Sequence, residues 1–169
     1  RPGAPGEPDG AFVTVSGNLL EYPGDRWCIG YGGNPIPHKY PGRDLSQRKG
    51  LFPGVPGVGG LATWQKGRLV ALEADGEGEL ATVAVVPAGD RIRLNATVPP
   101  TGYVKVAVRR LGNGEDVAGR GFEDCDHLAG DGLALPVKWK GEDSLRCDGK
   151  PISLRFKLRQ AKLFGVEFD

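Results

Sequence analysis

Long hydrophobic runs are missing from this sequence. No apolar stretch approaches the roughly 20 residues of a membrane-spanning helix, and the first residues lack the basic-then-apolar pattern of a secretory leader. No membrane partner is expected, and a start at Arg1 reads as a trimmed chain. An excess of charge of either sign is missing too: 22 Lys and Arg face 21 Asp and Glu, a formal net charge of +1. No global field draws the protein to nucleic acid or to an anionic surface, so any partner must be recognised through local surface. Cysteine is scarce. Cys28, Cys125 and Cys147 are too few and too scattered for a disulfide framework or a zinc knuckle. They permit at most one bridge, Cys125 with Cys147 by sequence position, or else free buried thiols. The two histidines, His38 and His127, have no neighbouring nucleophile pattern and give no triad. G-x-S-x-G, a phosphate loop and a dinucleotide fingerprint are all absent. Gly57, Gly59 and Gly60 lack the Lys-Ser/Thr that would hold phosphate and magnesium, and read as a connection.

What the chain has in quantity is Gly (28) and Pro (14) without a collagen-like period, together with clear alternation in its later half. Residues 1–10, RPGAPGEPDG, carry no apolar periodicity and read as a flexible leader. Phe12–Val15, Leu19–Tyr22 and Arg26–Tyr31 read as short strands, with a turn at Tyr22-Pro23-Gly24-Asp25. About thirty residues punctuated by Pro and Gly follow. Irregular segments of this length are usually functional or interfacial. From Leu61 the pattern becomes orderly. Leu61–Trp64, Arg68–Ala74, Glu79–Val86, Arg91–Val98, Tyr103–Arg109 and Leu133–Lys140 read as strands, with turns at Lys66-Gly67, Asp75-Gly76 and Gly112-Asn113-Gly114. At the end Ile152, Leu154, Phe156 and Leu158 alternate with Ser153, Arg155, Lys157 and Arg159. That is the period of a strand with one dry and one wet face. Ala161 to Phe168 is a second run in which Phe164, Val166 and Phe168 share one face, either an adjacent strand or the same one bent by a bulge. Eight to ten strands and no convincing helix predict an all-β protein, an antiparallel β-sandwich of the jelly-roll kind. Its organisation is read as a leader (1–10), short strands with a linking segment (11–60) and a sandwich domain (61–169).

Five segments carry a resemblance: WQKGRLVALEA (64–74), PAGDRIRLNATV (87–98), GRGFEDCDHLAGD (119–131), PVKWKGEDSL (136–145) and GKPISLRFKLRQAKLFGVEF (149–168). In this order they resemble the C-terminal β-sandwich region of secreted bacterial proteins related to glycoside hydrolases with a five-bladed propeller, of the family 32, family 43 and sialidase-like type. Residues 11–45 look like the closing strands of a last propeller blade plus a linker. The resemblance implies a secreted or extracellular accessory domain of a carbohydrate-active protein. Its partners would be a polysaccharide or glycan and a catalytic propeller. The catalytic acids of such enzymes lie in blades that this chain does not contain, so no catalytic residue carries over.

Several groups are candidates for chemistry, each with a plainer reading beside it. Sugar binding pairs flat aromatic faces, which receive the apolar face of a pyranose, with polar groups that bond its hydroxyls. Tyr31, Asn34, His38, Tyr40 and Arg43 offer both kinds; alternatively the tyrosines simply pack the loop. Trp64, just before a turn, is a candidate stacking platform, whereas Trp27 and Trp139 read as core. Glu123, Asp124, Asp126 and Asp131 supply oxygen ligands that suit a structural calcium ion, through Asp124, Asp126 and Asp131, or they serve turns and backbone amides. Glu123 with Asp124 as a glycosidic acid pair would have to face across a cleft, which neighbours in one loop rarely do. Arg155, Lys157 and Arg159 read as a solvated basic face.

Three functions stay open on these residues: a non-catalytic glycan-associated accessory domain, an assembly protein joining copies through an N-terminal arm, and a small stand-alone glycosidase.

Overall fold

Strands form where the sequence alternates, and the local register departs from that alternation at a few bulges. The computed structural model describes residues 3, 4, 7–35 and 57–169. The protein is all-β and of the β-sandwich class, with two antiparallel sheets of three and five strands. The described residues contain no helix. They fall into two compact units, 1–66 and 67–169.

The first unit holds β1 (Phe12–Tyr22), β2 (Arg26–Asn34) and β3 (Val58–Gln65) in the order β1-β2-β3. The two short strands expected at 12–15 and 19–22 are one strand. Its register against β2 shifts between Val15 and Leu19, so the intervening residues are a bulge in place of a break. The turn at 22–25 forms as expected, with Gly24 at φ 80° and Asp25 at φ 56°. Leu61–Trp64, which the sequence places at the head of the sandwich domain, pairs with β2 inside the first unit.

The second unit contains β4 (Leu72–Ala81), β5 (Ile92–Val98), β6 (Tyr103–Arg110), β7 (Gly130–Pro136) and β8 (Ile152–Phe168). The last strand organises the rest. β4 lies along one side of β8, while β6 and then β5 follow each other along the other side, and β7 adds to β5. Of the two forms open for residues 152–168, the single bent strand is the one observed. Buried residues run Ile152, Leu154, Phe156, Leu158 and then Ala161, Leu163, so the dry face changes from even to odd numbers at Gln160, which sits at φ 46°. A second irregularity leaves Phe164 without a partner between Asn95 and Ala96. Phe164 therefore falls out of phase with Val166 and Phe168, contrary to the expectation that all three share a face.

Two more expectations are corrected. Asp75-Gly76 is a bulge inside β4, not a turn, because the register to β8 resumes at Glu77 opposite Arg159. The strand read over 79–86 ends at Ala81; beyond it Thr82 N–H still donates to the Leu154 carbonyl at 2.9 Å, and Val85 forms an isolated bridge to Ile152. Trp139 is core as expected, at 1% exposure, but it lies beyond the end of β7 on bridges to Cys125 and Glu142. Its indole N–H donates to the Val106 carbonyl at 2.8 Å. The inner sheet residues of β5, β6 and β8 pack with Val117, Cys125, Leu128, Trp139, Leu145 and Cys147 from the connections into one core. All three cysteines are free and buried.

Candidate functional site

In an antiparallel sheet, residues directly opposite one another share a face. The register Glu21, Trp27, Trp64 and the register Val15, Tyr31, Gly60 therefore place both tryptophans and Tyr31 on one side of the three-stranded sheet. Ile29 and Ala62 stand between them on the same face. The two tryptophans face each other directly. Trp27 is half-buried like Trp64, not a core residue. Its neighbours Cys28 and Ile29 made it look buried, but the chain alternates there and only Cys28 turns inward, at 4% exposure. The Tyr31 ring lies across Gly60, where an added Cβ would come within 2.7 Å of it. Glycine at 60 thus makes room for a flat aromatic on the sheet surface.

Charge sits at one end of this face. The Lys66 ammonium is 5.1 Å from the centroid of the Trp27 ring. It bonds Glu21 at 3.0 Å and lies 3.5 Å from Asp25. The hydrogen bond to Glu21, with the charge of both carboxylates, holds the Lys66 pKa above its ordinary value. The face therefore combines three rings with a cation and two carboxylates.

Of the remaining sugar-site candidates, Asn34 does not join this face. Asn34 is exposed and shares its register with Phe12. It projects from the opposite side of β2 to Tyr31, because three positions separate them on a strand of period two. His38, Tyr40 and Arg43 lie outside the described residues. Trp27 is the site residue that sequence reasoning missed. Its cross-strand pairing with Trp64 was written in the alternation of both segments, but only the register reveals it.

The three aspartates proposed for calcium are each engaged separately. Asp124 pairs with Lys140 at 2.5 Å, and that bond lowers its pKa. Asp126 accepts the backbone N–H groups of Lys140 at 3.0 Å and Gly141 at 2.9 Å. These two residues sit at φ 51° and 83°, so Asp126 fixes a left-handed turn next to Trp139. Asp131 pairs with Arg68 at 2.6 Å and accepts from Thr97 at 3.3 Å. Among the described residues, no three His, Cys, Asp or Glu side chains are grouped as a metal site requires. Glu123 is exposed and Asp124 is held in its ionised form. A general acid needs the opposite shift.

The basic residues of β8 belong to a cross-strand ladder. Lys162 pairs with Glu73 at 2.9 Å and Lys157 with Glu77 at 3.0 Å, while Arg155 pairs with Glu79. Tyr103 donates its hydroxyl to Glu77 at 2.5 Å. Arg155 also stacks over Phe122 at 4.7 Å. Arg159 stands opposite Glu77 in the register but forms no ion pair among the described residues, so the face is neutralised only in part.

The chain matches no known family model, no curated protein and no solved structure significantly.

Proposed function

We propose that the chain is a non-catalytic, carbohydrate-associated accessory domain that binds or positions a glycan on the Trp27–Trp64 face of its three-stranded sheet. The observation that carries this reading is the direct pairing of two half-exposed tryptophans with Tyr31 on the same face. Flat rings receive the apolar side of a pyranose, and Lys66, Glu21 and Asp25 at the edge of the face supply groups for its hydroxyls. The resemblance of residues 61–169 to sandwich regions of glycoside-hydrolase-like proteins supports the same class. It also supports secretion and a linked catalytic domain. The lowered pKa of Asp124 and the exposure of Glu123 speak against this pair as a glycosidic acid and base.

The test is a pull-down of the purified protein on a panel of insoluble polysaccharides, with Trp27→Ala and Trp64→Ala beside wild type. Retention on at least one polysaccharide, lost in either variant while the unfolding temperature holds, is the expected outcome. Equal retention of all three proteins would remove the platform from the account.

A second reading, assembly between copies, is favoured by β1. It is an edge strand in the order β1-β2-β3, and Val15, Leu19, Leu20 and Tyr22 are exposed along it. Apolar edges of this kind recruit further strands. Deleting residues 1–22 would then convert an oligomer to a monomer in sedimentation; an unchanged mass in solution would dispose of this reading.

A further inference from the structure

A cavity of about 440 Å³ opens in the second unit, between the turn that follows β6 and the turn that leads into β8. Val117, Cys147 and Ile152 form its dry floor, each at most 7% exposed. Leu111, itself 48% exposed, adds apolar wall. Both flanking turns are closed by backbone hydrogen bonds. Arg110 N–H donates to Glu115 at 2.8 Å and Gly114 N–H to Arg110 at 3.1 Å; on the other side Lys150 N–H donates to Cys147 at 2.9 Å. The cavity is therefore set by the fold and does not wait for a ligand to shape it.

The polar groups on its wall decide what it would take. Arg110 and Lys150 are exposed and, among the described residues, neither forms an ion pair. Both are therefore left available to an anion, as Lys105, Lys138 and Arg159 also are elsewhere among the described residues. Asp148 is the one acid on the wall. Two cations thus share the wall with one carboxylate, and the Glu115 carboxylate stands just outside it on Asn113, so the wall favours an anion of low charge. The Asn113 side chain is occupied by Glu115, donating to its carboxylate at 2.6 Å and accepting its backbone N–H at 3.2 Å.

We infer that this cavity is a binding site for a small amphipathic monocarboxylate, with its apolar body on Val117, Cys147 and Ile152 and its carboxylate between Arg110 and Lys150. A dianion such as phosphate would exceed the charge available and leave the floor uncovered. A neutral apolar molecule would leave both cations unused. This site belongs to the second unit alone and does not depend on the glycan reading.

The experiment is an amide NMR titration of the full chain with octanoate, with octanamide and octylammonium as probes of equal length and different charge. Octanoate is expected to saturate and to shift the amides of Leu111, Gly112, Cys147, Asp148 and Ile152. Octanamide should bind about tenfold more weakly or worse, since one lost charge contact is of that order. Octylammonium should not bind there. The Arg110→Gln/Lys150→Gln double variant changes only exposed side chains, and it should lose the preference for octanoate over octanamide. Absence of saturable shifts at these amides, or equal binding of octanoate and octanamide to wild type, would overturn the assignment.

Discussion

Arg120 is charged and 2% exposed, which is tolerated only when the charge is paired and its nitrogens are hydrogen-bonded. It donates to Ser144 O at 2.5 Å and Gly119 O at 2.7 Å, pairs with Glu142 at 2.8 Å, and lies 5.2 Å from the Trp139 ring centroid. Arg120→Met keeps the stem but strands two carbonyls, and should lower unfolding free energy by about 2–4 kcal/mol in a denaturant titration. A second expectation concerns pH. The Tyr103 hydroxyl, followed by Lys157, holds the Glu77 pKa below its ordinary 4.5. A depressed carboxylate stabilises the fold above its unfolded pKa, and this contribution is lost as pH falls through the folded value. Tyr103→Phe removes the largest cause, so the Glu77 midpoint in a carboxyl-carbon NMR titration should rise toward 4.5; an unchanged midpoint would show that the hydroxyl does not matter. The burial of Trp139 was legible from the apolar phase it shares with Leu135 and Val137. Trp27 was misjudged because exposure depends on which way a strand faces, and Arg120 was invisible because nothing local marks a buried arginine.

At the scale of elements, β8 shows what alternation can and cannot tell. The run Ile152 to Leu158 announces a two-faced strand, and the structure buries those four residues as expected. The bend was one of two forms that alternation left open, and alternation does not decide between them, because the bend comes from backbone conformation at Gln160 and from the close approach of Gly102. A Cβ at 102 would stand 2.4 Å from the Arg159 carbonyl oxygen and 2.8 Å from that of Gln160. Gly102→Ala should therefore cost on the order of 1–3 kcal/mol, through a forced shift of the β5–β6 connection. Gln160→Gly should leave stability unchanged or raise it by up to about 1 kcal/mol, since glycine adopts left-handed φ without the penalty other residues carry. Thermal unfolding of both variants checks the pair; a destabilised Gln160→Gly with a neutral Gly102→Ala would contradict this account of the bend. The bulges in β1 and β4 escaped the sequence reading for the same reason. Asp75-Gly76 has turn composition, yet β8 supplies a continuous partner on which the strand resumes. The ladder of Glu73, Glu77 and Glu79 against Lys162, Lys157 and Arg155 explains how so many basic residues share one strand. Each exposed pair contributes little alone. Together they line the edge strand β4 with carboxylates that discourage pairing with another copy.

For the whole molecule, the all-β antiparallel class was legible from Gly, Pro and period-two alternation. The assembly of the candidate face was legible only in part. Tyr31 and Trp64 were singled out in the sequence separately, but that they share a face with Trp27 follows only from the register of β2 against β3. The account's central claim is that the Trp27–Trp64 face is a glycan platform. The measurement that tests it most directly is a glycan array probed with wild type and Trp64→Ala side by side, followed by calorimetric titration of any glycan that binds. Specific binding by wild type that falls at least tenfold in Trp64→Ala, as loss of about 1.4 kcal/mol of stacking demands, is what the account expects. Binding that Trp64→Ala retains in full, or no binding by wild type to any glycan, would contradict it.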